Sequence, residues 1–253
     1  LMTWLNTLQN KITDASIQLR ISTFLIEQKV EDEKSTQGDF NNWCYTVFET
    51  KDGNTTVKEN ANIAGLLGFC KQHNEMKLTP EQLQALADNV GYEEKNKDAI
   101  KQLIELANGN KEVINTIMEK LKGAGDDVVK AVFESLKNAV FTGSGTDTKL
   151  VDGVNTNDVI ALCAKQEKPE LTPDQLRTLA VKLYISNNGT YEFDSTVTSE
   201  TINNFIKLLK KGINNAELKY NVQTIAKTLD QITNWPDGLG DLKSSLEALQ
   251  KGG

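Results

Sequence analysis

The stretch Leu-Thr-Pro-Glu-Gln-Leu at residues 78–83 returns as Leu-Thr-Pro-Asp-Gln-Leu at 171–176, and the reading of this recurrence decides the fold. Each hexapeptide is a helix start. Thr79 and Thr172 suit the N-cap, where a hydroxyl accepts a bond from a free helix amide. Pro80 and Pro173 follow at the first helical position, where a missing N–H costs nothing. Glu81 and Asp174 place negative charge near the positive end of the helix dipole, and Gln82 and Gln175 stand where a capping box closes. Each cap contributes about 1 kcal/mol. Helices begin this way by convergence, so six letters alone do not establish duplication.

The flanks do. A shift of 93 residues sets Cys70 on Cys163, Val47-Phe48 on Val140-Phe141, Thr55 on Thr148, Asn62 on Asn155 and Leu86-Ala87 on Leu179-Ala180. Positions 47–87 then hold 12 identities in 41 ungapped places, where composition predicts about two or three. Capping physics does not explain a shared Val-Phe or a shared Cys. The chain carries an internal repeat. The expected class is mainly α with small β-hairpins: two tandem diverged helix-plus-hairpin repeats preceded by a long N-terminal helix. The expected divisions are an amphipathic helix and polar linker over 1–40, copy one over 41–138 and copy two over 139–253.

Trp4, Leu5, Leu8, Ile12, Ala15, Leu19, Ile26 and Val30 keep a helical spacing across 3–33, with Phe24 and Leu25 widening the stripe. Its polar side carries Asn, Gln, Asp and Glu rather than the lysines of a membrane-surface helix, so packing against the body is expected. The "EDEKSTQGD" at 31–39 reads as a polar break. From Tyr45, "YTVFET", "KDGN" and "TTVKE" form a hairpin around an Asp-Gly turn; "AVFTGSGTDTKLV" at 139–151 is its looser counterpart. Helices are expected at 97–107 and 111–122 in copy one, and at 199–211 and 217–232 in copy two. "DDVVKAVFESLKN" and "GDLKSSLEALQKG" close the copies, and "WLNTLQNK" at 4–11 resembles them. Since the chain opens on Leu1, it is expected to be a fragment or a processed form.

The copies part company after the Thr-Pro helix. Copy one continues "DNVGYEEKNKDAI", whereas copy two inserts a longer segment whose "LYIS-NNG-TYEF" reads as a second hairpin. Insertions on a repeat framework elaborate binding surfaces. Tyr184, Tyr191 and Phe193 of the insertion and Trp235 in "NWPDG" are therefore the candidate partner-binding residues, Tyr and Trp being favoured anchors. A tolerated surface loop and, for Trp235, plain structural burial are the competing readings.

Signatures of chemistry fail one by one. Gly53 at the sixth position of a calcium loop puts Phe48 and Thr50 where oxygen ligands belong. The single histidine, His73, forms only a two-ligand pair with Cys70, and copy two has Gln166 in its place. "GSGTDTK" at 143–149 lacks the phosphate-loop ending. Asn-X-Ser/Thr triplets at Asn54 and Asn188 are no more than an Asn-rich chain supplies by chance. Three cysteines, Cys44, Cys70 and Cys163, make no disulfide framework; Cys70 and Cys163 read as core thiols. No catalytic residue, metal or cofactor is expected.

Net charge is −7, and of 28 basic residues only Arg20 and Arg177 are arginine, which disfavours nucleic acid as a partner. No apolar run reaches a membrane span. Scarce Arg beside 24 Asn fits an AT-rich coding sequence, hence a secreted, surface-exposed or host-directed protein of a bacterial pathogen or symbiont, or of a parasite. The expected function is a non-enzymatic protein-interaction or scaffolding module. Alternatives are a carboxylate-based hydrolase of the glycoside-processing type in the groove between the copies, and a self-assembling structural repeat.

Overall fold

The computed structural model describes residues 2–9, 11 and 15–252. Among these residues helices dominate, with three two-stranded antiparallel hairpins. The chain forms two compact units, Leu1–Thr79 and Pro80–Gly253.

In the first unit, α1 (Met2–Gln9) packs against α2 (Ala15–Val47), which runs into the hairpin β1 (Phe48–Lys51) and β2 (Asn54–Val57), then α3 (Ile63–Gln72). Ile12 of the predicted stripe and the side chains of Ala15 and Leu19 lie outside the described residues. The expected polar break at 31–39 is not a break: all of it is helical, so the expected boundary at 40 falls inside α2. Glu, Lys and Gln are good helix formers, the segment holds no proline, and the single Gly38 costs only about 1 kcal/mol. Thr36 Oγ1 donates to the Asp32 carbonyl at 2.9 Å and Gln37 Nε2 to Asn41 Oδ1 at 2.9 Å, both local helical bonds. Consequently Tyr45–Val47, read as strand, belong to the helix. The expected packing of the N-terminal stripe also differs from what is found. Trp4, Ile17, Phe24, Ile26 and Val30 are exposed. Further along α2, Phe40 stacks near Phe69 of α3 at 6.4 Å between ring centroids. The Trp43 ring lies so close to Gly65 that a Cβ there would collide with it.

The second unit begins with α4 (Pro80–Asn89), α5 (Lys97–Leu106), α6 (Lys111–Lys122) and α7 (Asp126–Val140). Hairpin β3 (Phe141–Thr142) and β4 (Lys149–Leu150) leads to α8 (Thr156–Lys165) and α9 (Pro173–Ala180). Hairpin β5 (Tyr184–Asn187) and β6 (Thr190–Phe193) leads to α10 (Ser199–Gly212), α11 (Lys219–Asp230) and α12 (Gly240–Lys251). The even-numbered helices form a row in which α4, α6, α8, α10 and α12 each pack on the next, while α5 packs on α7 and α9 on α11. Quasi-linear stacking of this kind is what repeated helical units produce. Phe133, Phe205, Ile100, Leu103, Ile114, Ile117 and Met118 fill its interior.

The two copies of the repeat share local geometry. Residues 63–72 and 156–165 are helices of equal length at the interval of 93. Asn62 Oδ1 accepts from Gly65 N at 2.9 Å, and Asn155 Oδ1 from Asn157 N at 3.1 Å, so both asparagines cap. Phe48 pairs with Val57 and Phe141 with Leu150. Cys70 and Cys163 are both buried, and desolvation pushes their thiols up to about 11 and about 12. At the second hexapeptide the full capping box is present: Gln175 N donates to Thr172 Oγ1 at 3.1 Å, and Thr172 N to Gln175 Oε1 at 3.0 Å.

Two glycines separate backbone constraint from simple permissiveness. Gly143 has φ +77°, and a Cβ there would strike the Asp147 carbonyl oxygen; Gly68 sits inside α3 with open space around it. Gly143→Ala is expected to lower stability by about 1–3 kcal/mol. Gly68→Ala is expected to raise it by about 0.5–1 kcal/mol. Urea titrations followed by circular dichroism measure both; equal effects would contradict the geometry.

Candidate functional site

The segment that distinguishes copy two is the β5–β6 hairpin. Asn188 and Gly189 at its tip both have positive φ, 49° and 84°, the combination of a type I′ turn, which matches the strand twist. Tyr184 pairs with Phe193 and Ser186 with Tyr191, so these four side chains share one face. On that face the rings of Tyr184 and Tyr191 meet edge-on at 5.5 Å, and Phe193 meets Trp235 edge-on at 5.0 Å. The opposite face carries Ile185, Asn187, Thr190 and Glu192.

One edge of the hairpin is locked. Tyr191 forms a parallel bridge with Ile232, and Thr233 N donates to the Tyr191 carbonyl at 3.2 Å. Asn234 then imitates a strand with its side chain: Phe193 N donates to Asn234 Oδ1 at 2.7 Å, and Asn234 Nδ2 donates to the Phe193 carbonyl at 3.3 Å. Trp235 Nε1 donates to the Leu229 carbonyl at 3.2 Å. The α11–α12 connection thus closes the outer side of β6. The outer side of β5 pairs with no strand among the described residues, and Ile185 beside it is 49% exposed, with Val181 at 50%.

The four predicted residues are brought together in one cluster, with different surroundings. Phe193 is buried, Trp235 is half-buried against it, and Tyr184 and Tyr191 are half-buried with their rings paired. Burial pushes the Tyr184 phenol up, and Tyr191 adds to the shift. Ile185 and Val181 escaped the sequence reading because neither is aromatic. The kinship of this hairpin to the other two also escaped it. Leu183 O accepts from Asp194 N at 2.8 Å, as Val47 O does from Lys58 N at 2.8 Å and Val140 O from Val151 N at 2.9 Å. Thr198 then caps α10 as Asn62 and Asn155 cap their helices. The signal was available: an aromatic opens each hairpin (Phe48, Phe141, Tyr184), and a polar cap follows at a constant interval. Copy one has a closed connector at the same place. There Tyr92 Oη donates to the Ala87 carbonyl at 2.8 Å and Asn96 Nδ2 to Val90 O at 3.0 Å.

A second concave region lies in the groove between the copies, a polar cavity of about 230 Å³ lined by α6, α8 and α10. Asp158, its carboxylate 6% exposed, accepts from Lys122 Nζ at 2.7 Å, and the same ammonium reaches Glu119 at 2.5 Å. Hydrogen bonding to Asp158, then to Glu119, raises the Lys122 pKa above 10.5. Both acids therefore share one cation that bridges α6 to α8. The His73 ring lies tilted against Phe69 at 4.5 Å between centroids, and its Nδ1 faces Glu75 at 3.5 Å. Among the described residues no group of three or more His, Cys, Asp or Glu is placed to hold a metal, and no helix is long and apolar enough to cross a membrane. No family model, curated protein or solved structure matches the chain, so its function is argued from its own geometry.

The Lys122 bridge has a pH signature. A lysine raised in the folded state contributes stability fully below its ordinary value of 10.5 and loses it as pH climbs through the raised value. The buried thiols act in the same direction, losing their contribution from about pH 9 upward. Lys122→Met is expected to cost about 1–2 kcal/mol at neutral pH, discounted for the lysine's partial exposure. Against wild type, the cost is expected to shrink only above the lysine range, in denaturant titrations at stepped pH.

Proposed function

We propose that this protein is a non-enzymatic protein-interaction module, a scaffold of stacked helices that presents the β5–β6 hairpin to a protein partner. The observation that carries this reading is the asymmetry of the hairpin. One edge is fixed by residues 232–234, while the other is an open strand edge flanked by exposed Ile185 and Val181. An extended segment of a partner adds to such an edge through backbone hydrogen bonds, with apolar side chains supplying the rest. Phe193, Trp235 and Asn234 act as the buttress that pre-forms the surface, which lowers the ordering cost of binding. Tyr184 and Tyr191 hold the strand and offer half-buried aromatic area beside it.

This reading is favoured over a carboxylate-based hydrolase in the inter-copy cavity. Acid–base work on a glycoside needs one carboxylic acid that keeps its proton and one that does not. The Lys122 ammonium binds both Asp158 and Glu119, so the two acids are tied to one cation rather than set apart on either side of a substrate oxygen. Net acidity and the shortage of arginine support a protein partner over nucleic acid. A host-directed or surface role in an AT-rich pathogen, symbiont or parasite rests on residue usage alone.

The test is affinity capture with crosslinking from a candidate host extract, run with wild type, Ile185→Asp, Val181→Asp, and a variant whose 183–198 is replaced by the copy-one connector. A specific partner is expected whose capture falls at least about tenfold in each variant, with far-UV circular dichroism of the point variants unchanged. If everything captured by wild type is captured equally by all three, the hairpin reading is overturned.

A further inference from the structure

The open apolar face near the start of α2 has counterparts elsewhere in the chain. Displaced by the repeat interval of 93, residues 18–29 fall on α6, with Ile21 on Ile114, Phe24 on Ile117 and Leu25 on Met118. In α6 all three are buried, and the matching Val222, Ile225 and Ala226 of α11 are buried as well. In the helix row α6 packs on α4, on α8 and, across the Gly-Ala-Gly turn at 123–125, on α7. In α2 the same place holds Val30-Glu31-Asp32, the helix runs straight on, and no fold-back occurs. The second half of α2 has also lost the surface to receive it: Val128, Val129 and Val132 of α7 correspond to Ser35, Thr36 and Asp39. An inherited core face is left with Ile17 at 46% and Phe24 at 40% exposure. Beside α1 it forms a shallow apolar cleft lined by Leu5, Ile17, Arg20, Ile21 and Phe24.

What covers this face is indicated by charge. Arg20 stands where α6 has the buried Val113, so the repeat's own apolar covering would strand a guanidinium, a strongly unfavourable burial. Glu27 lies seven residues further along the same flank of the stripe, two helical turns away. A dyad placed between Thr23 and Phe24 sets Arg20 of one helix opposite Glu27 of another, and the reverse pair forms by symmetry. A parallel in-register pair sets like charges level with each other. Residues 1–30 are also close to neutral, with Lys11, Arg20 and Lys29 against Asp14 and Glu27, in a chain of net charge −7.

We infer that the α1–α2 face is a self-association surface that takes a second copy of this chain, antiparallel across a two-fold axis near Phe24. The contact is isologous and therefore closes at a dimer. Ile17, Ile21 and Phe24 form its apolar centre, and two Arg20–Glu27 pairs set its direction. It is independent of the hairpin surface, which belongs to the other compact unit.

Sedimentation equilibrium of the whole protein from about 1 µM to about 1 mM tests it. Wild type is expected to pass from monomer to dimer. Phe24→Glu is expected to remain monomeric. Arg20→Glu and Glu27→Arg, both at exposed positions, are each expected to weaken the dimer about tenfold, since two pairs turn from attractive to repulsive. The double reversal is expected to restore wild-type affinity to within about threefold. Circular dichroism of each variant checks that the helices persist. A wild type that stays monomeric, single reversals that leave association unchanged, or a double reversal that fails to restore it would each overturn the inference.

Discussion

One backbone hydrogen bond, made three times, sets where every hairpin ends and the next helix begins. The carbonyl of Val47, Val140 and Leu183 accepts from the amide eleven residues later, at Lys58, Val151 and Asp194. At Val47 and Val140 the bond closes the strand pair at the helix end, where a carbonyl is otherwise left without an intrahelical partner. At Leu183 it closes the pair three residues after α9 ends. It also fixes the start of the following helix, because the cap residue (Asn62, Asn155 or Thr198) comes four positions later. The intervening turn is then free to vary. It is a tight Asp-Gly turn in the first hairpin, a Gly-rich loop with a short 3₁₀ segment in the second, and Asn-Gly in the third. The module tolerates this variation because its ends are held and its tip is not.

From this constraint the row of helices follows. In the second unit the hairpin after α7 leads to α8, which packs on α6, and the hairpin after α9 leads to α10, which packs on α8. Lys122 and Asp158 add a polar cross-tie between α6 and α8. Asn115 adds another, donating through Nδ2 to Gly153 O at 2.9 Å and accepting at Oδ1 from Asn155 N at 2.8 Å. These bonds hold the β4–α8 connection against α6. Directional polar contacts of this sort select one arrangement among the many that interdigitating Leu and Ile would tolerate.

How far the sequence reveals this depends on how local each feature is. The Thr-Pro helix starts, the Asp-Gly and Asn-Gly turns and the helices at 97–106, 111–122 and 199–212 are encoded within a dozen residues, and they fall where their local chemistry sets them. The straight course of α2 through 31–39 was misread because polarity was taken for a break. A helix can be polar all round and solvated, and those residues have no other structure to prefer. The even-helix row was not legible, because it depends on which apolar face meets which, and face-to-face pairing is not written in any one segment. Of the candidate site, the aromatics Tyr184, Tyr191, Phe193 and Trp235 were legible as a group through their type. Their division into buttress and display was not, since it turns on Asn234 and Ile232 reaching across from another connection.

The two surfaces left open differ in physics, and that difference bears on what the chain does. At the hairpin the open feature is a strand edge, a row of backbone groups that any extended segment can satisfy, so selectivity must come from side chains beside it. Ile185 and Val181 are the means available. Along α2 the open feature is a stripe inherited from a core position, apolar and nearly neutral, with opposite charges spaced for its own reverse copy. A module that paired through α2 would present its hairpins in duplicate. Two weak strand-edge contacts made together bind far more tightly than either alone when linkage lets both engage at once. Under the proposed function the helix row is the scaffold, and the hairpin edge and the α2 stripe are the two surfaces that it offers.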